Sequence, residues 1–300
     1  MKRQMFDLNQ QADLGTALHA AAWSNHYEII RLLVNAGAYI NAIGGPRKES
    51  PLNCAVRNSQ LGAIETLLSF PTLDLAATDS EGYIVLHHAA ERVQTAEWCN
   101  VIERLIFPST LNAAINEKHA ETFGATPLNL AARYGNSQMV LLLLRKGADH
   151  RIGDEIGYTP LHHASSRLDR EVVESLISFG ASAQTTALNG NSPLHLALSA
   201  NCTECLIKLL VQNGNGQKAH NHKGRTPLHC AVEGNHSVGV VSAFLKARAD
   251  PNNAIIKPAD PDWCRLMDSG DLKLGQTALH LAARQGRIDL LELLLEFRAD

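Results

Sequence analysis

The chain has 300 residues, with 27 Lys and Arg against 30 Asp and Glu, which gives a formal net charge of −3 with His neutral. This balance provides no global positive field, so general nucleic-acid binding is not expected. The longest apolar run, Met139 to Leu144, has six residues, whereas a membrane span needs roughly 20. No apolar signal core follows Met1, and six cysteines are too sparse for a disulfide framework. We therefore expect a cytoplasmic or nuclear protein that does not bind membranes.

An internal repeat organises the chain. A Thr/Ser-Pro/Ala-Leu-His/Asn element recurs with its leucine at Leu18, Leu52, Leu86, Leu128, Leu161, Leu194, Leu228 and Leu279. The spacings are 34, 34, 42, 33, 33, 34 and 51 residues, so the third and seventh units contain insertions. A period of 33 or 34 residues is typical of one helical hairpin per unit.

The fourth unit shows how such a hairpin is encoded. Thr126 can cap a helix start, and Pro127 suits the first helical position. Gly135 and Asn136 interrupt this first helix, and residues 139–144 supply the apolar face of a second one. Because one hairpin cannot bury both of its faces, each unit must be stabilised by stacking on its neighbours.

The repeated motif resembles that of the ankyrin repeat family. The family pattern Thr-Pro-Leu-His-x-Ala is present at residues 159–164 and 226–231. This resemblance covers nearly the whole chain and implies a curved all-α ankyrin-repeat solenoid of antiparallel helix pairs joined by outward β-hairpin fingers. We interpret residues 1–300 as a single domain with insertions near residues 108–123 and 251–274. The repeats are expected to start near residues 15, 49, 82, 124, 157, 190, 224 and 275.

Two repeats and both ends depart from the family pattern. In the third repeat Ile84-Val85 replaces Thr-Pro, and in the first repeat Gly15 directly precedes Thr16. These two repeats are expected to be the least regular. Residues 7–9 look like the finger of a preceding repeat, and the leucines of residues 290–295 repeat an internal pattern. We therefore expect a segment of a longer array, or a partner that covers the last helix.

Known catalytic signatures are not found. Cys202 and Cys205 have the spacing of half a zinc site but no second pair follows, and the glycines at 214 and 216 follow a helix rather than a strand. The resemblance implies that the motif histidines hydrogen-bond between neighbouring repeats. They are His19, His87, His162, His195, His229 and His280. We predict no catalytic residue, cofactor or metal ligand.

The positions that vary within the family carry the positive signal. The resemblance assigns these positions, in the fingers and after the Ala pair, to the concave surface. Aromatic residues occupy them at Trp23, Tyr83, Phe123, Tyr134 and Tyr158. Arginines occupy them at Arg57, Arg92, Arg133, Arg167, Arg225 and Arg284. Because interfaces favour Trp, Tyr and Arg, we predict a binding groove centred on the third to fifth repeats.

The insertions allow two interpretations. Residues 251–274 contain Trp263 between acidic residues. This segment fits a contact loop and fits equally a packed loop in which Trp263 fills a gap. In the third repeat, Trp98, Ile102 and Leu105 have helical spacing and are expected in the core.

Together these features predict a protein-interaction scaffold that binds a peptide or protein domain through its concave groove and fingers. Arg133 and Arg167, near Tyr134 and Tyr158, favour an acidic partner. One alternative is an enzyme or small-molecule binder with a non-standard pocket in the groove. Another alternative is the targeting module of a larger receptor or pathogen effector.

Overall fold

The computed structural model describes residues 7–92, 95–106, 114–118, 123–212, 216–257 and 274–299. These residues form sixteen α-helices and one 3-10 turn at Gly216–Lys218. Within the same ranges β-structure is limited to isolated bridges, Ala12 with Gly15 and Gly44 with Glu49. The predicted all-α class is therefore confirmed.

The helices follow one another as eight pairs, and each pair begins at one copy of the motif. The pairs are α1 (Ala17–Trp23) with α2 (Tyr27–Asn35), α3 (Pro51–Arg57) with α4 (Leu61–Leu68), α5 (Val85–Ala90) with α6 (Ala96–Ile106), α7 (Pro127–Tyr134) with α8 (Ser137–Arg145), α9 (Pro160–Arg167) with α10 (Arg170–Ser178), α11 (Pro193–Ser199) with α12 (Glu204–Gln212), α13 (Pro227–Glu233) with α14 (Val238–Lys246), and α15 (Ala278–Gln285) with α16 (Ile288–Glu296). The first helix of each pair starts two or three residues after the start predicted for its repeat.

The chain divides into two compact units, one up to Asp149 and one from His150. In the first unit the first helices pack in series, α1 on α3, α3 on α5 and α5 on α7, and the second helices α2, α4, α6 and α8 do the same. In the second unit the first helices form such a series, α9 on α11, α11 on α13 and α13 on α15. Among its second helices, α12 packs on α14 and α14 packs on α16. Each unit thus has two helix layers with its core between them. The assignment of one domain to residues 1–300 stays a prediction.

Short polar contacts set the helix starts. The Ser50 hydroxyl accepts from the Asn53 N–H at 3.1 Å, and the Thr126 hydroxyl accepts from the Asn129 N–H at 3.2 Å. Ile84 has no hydroxyl, and the helix that it precedes, α5, is the shortest of the sixteen, with six residues. The Ile84 N–H still donates to His87 Nδ1 at 3.3 Å. The third repeat therefore keeps the backbone bond to the motif histidine, which the Thr- and Ser-capped repeats also have, and lacks only the hydroxyl.

Motif histidines connect neighbouring repeats within each unit. His19 Nε2 lies 2.9 Å from the Glu49 carbonyl, and His87 Nε2 lies 3.2 Å from the Glu117 carbonyl. In the second unit His162 Nε2 lies 3.1 Å from Asn191 O, and His195 Nε2 lies 3.0 Å from Arg225 O. These are the inter-repeat hydrogen bonds that the resemblance implies for these four residues.

The core contains the apolar residues expected from helical spacing. In α6, Trp98, Ile102 and Leu105 are buried. Cys54 is also buried, and burial raises the pKa of its thiol to about 12. Burial likewise raises the pKa of the Cys230 thiol to about 12. Both thiols therefore stay protonated at neutral pH and act as small packing groups rather than nucleophiles.

Candidate functional site

Trp23 is an exposed aromatic residue in the first unit, and its ring is held in place by a neighbouring arginine. It ends α1, and 44% of the residue is exposed. The guanidinium carbon of Arg57 lies 5.1 Å from the centre of the Trp23 ring. The Glu49 carboxylate holds Arg57 through two hydrogen bonds, 3.0 Å from Nε and 2.6 Å from Nη2. The ring is therefore fixed by a cation–π contact before any partner arrives.

A cavity of about 230 Å³ opens beside this ring. Its apolar walls come from Leu14, Ala20, Pro46 and Cys54, and Leu14 is 62% exposed at the rim. We call it the Trp23 cavity. Cavities that hold drug-sized molecules have volumes of roughly 300 to 1,000 Å³. The Trp23 cavity is smaller and suits a single side chain.

The charges around the Trp23 cavity are paired. Glu49 neutralises Arg57 at 2.6 Å, and the side chain of Glu49 is only 7% exposed. Arg47, also in the cavity wall, pairs with Glu81 at 2.9 Å. The cavity therefore presents apolar atoms without a free charge and favours an uncharged occupant.

Tyr83 does not have the exposed position expected of a contact residue. It is only 8% exposed, and its ring stacks on the His88 ring with centres 5.0 Å apart. The Asp79 carboxylate accepts from the Tyr83 N–H at 2.8 Å and lies 3.0 Å from His88 Nε2. The Tyr83 hydroxyl donates to Glu91 at 3.3 Å. The finger thus holds Tyr83 against its own repeat, and the assignment of Tyr83 as a partner contact stays a prediction.

Tyr158 in the second unit is anchored in the same way. The Asp154 carboxylate accepts from the Tyr158 N–H at 2.8 Å and lies 2.9 Å from His163 Nε2. The half-buried ring stacks on His162 with centres 5.4 Å apart, and its hydroxyl accepts from Asn189 Nδ2 at 3.0 Å. Sequence reasoning missed this Asp-Tyr-His anchor. Its signal was the shared pattern of Asp, Gly-Tyr and Leu-His-His in the third and fifth repeats.

Hydrogen bonding lowers the pKa of both anchoring carboxyls. Burial alone would raise the pKa of Asp79, but hydrogen bonds from His88 and the backbone outweigh it. The same balance, with His163 as donor, lowers the pKa of Asp154. Both groups are therefore carboxylates at neutral pH and hold their fingers by charge-assisted hydrogen bonds.

Five of the six candidate arginines separate into paired and free groups. Arg225 pairs with Glu233 at 2.8 Å, and Arg284 lies 3.8 Å from the other Glu233 oxygen. Arg57 pairs with Glu49, as described above. Arg133 and Arg167 are exposed and form no ion pair with the described residues. Free positive charge is thus offered by Arg133 in the first unit and by Arg167 in the second.

Two further aromatic candidates are exposed in the first unit. Phe123 is 62% exposed at the tip of its finger, and Tyr134 is 48% exposed at the end of α7. Tyr134 and half-buried Arg92 line a cavity of about 350 Å³. Tyr158 and Arg167 belong to the second unit, so the joint groove of the third to fifth repeats stays a prediction. Trp263 lies outside the described residues.

The described residues contain no candidate metal-binding cluster and no candidate membrane-spanning helix. Among them, no cluster of three or more His, Cys, Asp or Glu side chains is placed to hold a metal ion. In the same part of the chain, no helix is long and apolar enough to cross a bilayer. Stacked helix pairs with braced aromatic and free cationic side chains define a tandem-repeat protein of the kind that binds other proteins.

Family comparisons identify the repeat. A model of three ankyrin repeats matches residues 86–187 and 168–255, and a single-repeat model matches residues 13–44 and 274–300. The chain therefore belongs to the ankyrin repeat family. Ankyrin repeats generally mediate protein–protein binding, so the chain is a protein-interaction repeat module.

Curated relatives share parts of this module. The chain is 37% identical over 83 residues to Palmitoyltransferase Hip14 of Drosophila melanogaster, covering 27% of this chain and 13% of that protein. It is 29% identical over 130 residues to Putative ankyrin repeat protein FPV031 of Fowlpox virus (strain NVSL), covering 43% and 36%. It is 28% identical over 139 residues to Rabankyrin-5 of Mus musculus, covering 46% and 11%. The chain thus matches a minor part of each of these relatives.

Proposed function

We propose that this chain binds a protein or peptide partner and that the Trp23 cavity receives an apolar side chain of that partner. The observation that carries this proposal is the braced Trp23 ring, which stays 44% exposed while Arg57 and Glu49 hold it. A fixed aromatic ring loses little conformational entropy on binding, which is why such residues become energetic centres of interfaces.

The paired charges and small volume support an uncharged anchor such as a Leu, Met or Phe side chain. A charged side chain would lose its hydration without gaining a free counter-charge in the Trp23 cavity. The volume of about 230 Å³ excludes a large cofactor.

The acidic preference of the partner would come from outside this cavity. Arg133 and Arg167 are exposed and unpaired within the described residues, so a carboxylate can pair with either of them. Tyr134, next to Arg133, adds an exposed amphipathic ring. We propose a partner with an apolar anchor and, elsewhere on its surface, acidic residues, met in the cytoplasm or nucleus, with Trp263 as a further contact.

The test is affinity purification with the intact chain, identification of partners by mass spectrometry, and titration of each purified partner by calorimetry. Trp23→Ala removes the ring, and Tyr39→Ala is the matched control because Tyr39 is 60% exposed in the same unit but does not line the cavity. We expect Trp23→Ala to weaken binding roughly tenfold or more and Tyr39→Ala to leave it unchanged. A partner that keeps full affinity for Trp23→Ala and for Tyr134→Ala would refute the proposal.

A second candidate is the targeting module of a larger protein. It is supported by the relatives, in which the matched segment makes up 36% of the length or less in the three comparisons above. The affinity purification separates the two, because a targeting module would capture the same partner when fused to an unrelated protein and would direct that protein to the partner's location.

A further inference from the structure

Two fingers of the second unit carry apolar side chains in their turns, at Ile156 and Leu188, and a third exposes Ile256 in an irregular segment. Ile156 is 47% exposed, Leu188 82% and Ile256 48%. Leu188 has the largest exposed fraction among the large apolar residues that the structure describes. Turn tips are usually occupied by Gly, Asn, Asp or Ser. Ile156 and Leu188 are on neighbouring fingers, and adjacent exposed apolar groups at such sites indicate a surface that another molecule covers.

Hydrogen bonds join these tips into one ordered row. The Leu188 N–H donates to Ile156 O at 3.0 Å, and the His222 N–H donates to Asn189 O at 3.0 Å. The Ile256 N–H donates to Gly224 O at 3.1 Å. We define the fingertip row as Ile156, Leu188, Lys223, Ile256 and Lys257. Because each finger is bonded to the next, the row is prepared for binding without reordering its backbone.

Glycine makes the closest of these approaches possible. Gly224 has a φ of +68°, a conformation that favours glycine, and a Cβ at this position would collide with the Ile256 carbonyl. The turn that carries Lys223 and the segment that carries Ile256 are therefore held side by side.

The two ends of the fingertip row carry opposite charges. Lys223 and Lys257 are exposed beside Ile256, and neither forms an ion pair with a described residue. Glu155, next to Ile156, is exposed at the opposite end. The row thus has an apolar pair and a single negative charge at one end. At the other end it has two positive charges that are unpaired among the described residues.

We propose that the fingertip row binds a segment of another protein that has two neighbouring apolar side chains followed by acidic residues. Ile156 and Leu188 contact the apolar pair, and Lys223 and Lys257 pair with the carboxylates. Glu155 disfavours the reversed placement, because it would bring acidic residues next to a like charge. This surface lies in the second unit and is separate from the Trp23 cavity.

The test is selection of a random dodecapeptide phage library on the immobilised intact chain, followed by fluorescence anisotropy with the enriched peptide. We expect enriched peptides to contain an apolar pair next to several Asp or Glu. Ile156→Ser with Leu188→Ser should weaken binding at least tenfold, and so should Lys223→Glu with Lys257→Glu. The affinity for wild type should also fall as salt rises.

Matched controls come from the same unit. Phe179 is 40% exposed and Lys246 is exposed, and both lie on helices or their ends rather than on fingers. Phe179→Ser and Lys246→Glu should leave binding unchanged. Circular dichroism checks folding, and single Leu188→Ser replaces the double variant if that variant unfolds.

Three results would overturn the inference. These are no enrichment, enriched peptides without the apolar and acidic pattern, and equal weakening by the control substitutions. Trp23→Ala separates this inference from the proposed function. A peptide lost by Trp23→Ala but retained by Leu188→Ser belongs to the Trp23 cavity, which refutes the fingertip row and supports the proposed function.

Discussion

Replacing His195 by Asn should flatten the pH dependence of stability on the acid side of neutrality. His195 is 2% exposed in α11, and its Nδ1 accepts from the Ser192 N–H at 3.1 Å. Because Nδ1 accepts, Nε2 carries the proton and donates to the Arg225 carbonyl at 3.0 Å. Burial lowers the pKa of His195 to about 4, although the hydrogen bond to Arg225 O opposes this shift. Protonation of Nδ1 would break the hydrogen bond that the Ser192 N–H donates to it.

The magnitude follows from proton binding in the two states. In the unfolded chain the pKa of a histidine is about 6.5, so between about pH 6.5 and pH 4 the unfolded state binds a proton that the folded state does not. The contribution of His195 to stability is complete above about pH 6.5 and is lost as pH falls toward 4. Each such histidine lowers the free energy of unfolding by about 1.4 kcal/mol per pH unit in this window, or about 3 kcal/mol over its width.

Asparagine is the appropriate replacement because this chain already uses it. Asn53 occupies the motif position of the second repeat, and its Nδ2 donates to Ala77 O at 3.0 Å. His195→Asn therefore removes the titrating group and keeps a donor of similar reach. At pH 7 we expect the variant to be less stable by about 1 kcal/mol, the usual net value of one hydrogen bond. The difference in the free energy of unfolding between wild type and variant should shrink and then change sign as pH falls toward 5.

Urea unfolding followed by far-UV circular dichroism at pH 7, 6, 5 and 4.5 measures the effect. The stability of His195→Asn should decline less steeply than wild type by about 1.4 kcal/mol per pH unit. Burial also lowers the pKa of His162 to about 4, so His162→Asn with His195→Asn should change the slope about twice as much. Parallel curves for wild type and variant, or a His195 ring that titrates near pH 6.5 by NMR, would refute the reasoning.

Three further predictions concern packing, backbone and charge. Leu143→Ala should cost about 2 to 5 kcal/mol because Leu143 is fully buried, and half-buried Leu142→Ala should cost less, as measured by urea unfolding. Gly224→Ala should lower the melting temperature more than Gly275→Ala. Both glycines have positive φ, but a Cβ at Gly224 would collide with the Ile256 carbonyl, whereas a Cβ at Gly275 would meet no described atom within 4 Å. Equal shifts in melting temperature would count against the close approach of the two fingers. Asp154→Asn should melt below wild type at pH 6 and approach it as the pH falls below the ordinary aspartate pKa, because the pKa of Asp154 is lowered and its stabilisation is lost as acid protonates the carboxylate.

The repeats could be predicted from sequence because their signals are local. Each Thr-Pro or Ser-Pro step fixes a helix start within a few residues, and the leucine after it marks the buried face. Whether a side chain is exposed depends on tertiary packing, which the local sequence does not determine. Tyr83 and Tyr134 both occupy variable positions, yet Tyr83 stacks on His88 and is buried, whereas Tyr134 is 48% exposed. Neighbouring Leu142 and Leu143 differ similarly, because successive helical residues point about 100° apart.

The fingertips show a second reason for incomplete prediction. Ile156 and Leu188 lie in turns and Ile256 in an irregular segment, where an apolar residue has no periodicity that would assign it to the core or to solvent. Their common position appears only when hydrogen bonds between fingers bring the three repeats into register.

A spacing of eight residues explains why Arg57 and Arg225 are paired within their own repeats and Arg133 is not. The residue before a helix cap lies beside the residue eight positions later, at the end of the same helix. Glu49 pairs with Arg57 in this way, and Arg225 pairs with Glu233. The corresponding neighbour of Arg133 is Ala125, which is buried and uncharged. Arg133 therefore keeps its charge for a partner.

This relation predicts that Ala125→Glu will neutralise Arg133 from within its own repeat. The site should accept the change, because Glu49 occupies the equivalent position with only 7% of its side chain exposed. The Arg133 Nε–H should then exchange more slowly with water by NMR, and an acidic partner should bind more weakly. Ala125→Gln has nearly the same shape without the charge and should change neither quantity by as much. Equal effects of Glu and Gln would show that position 125 acts on Arg133 through packing rather than through charge.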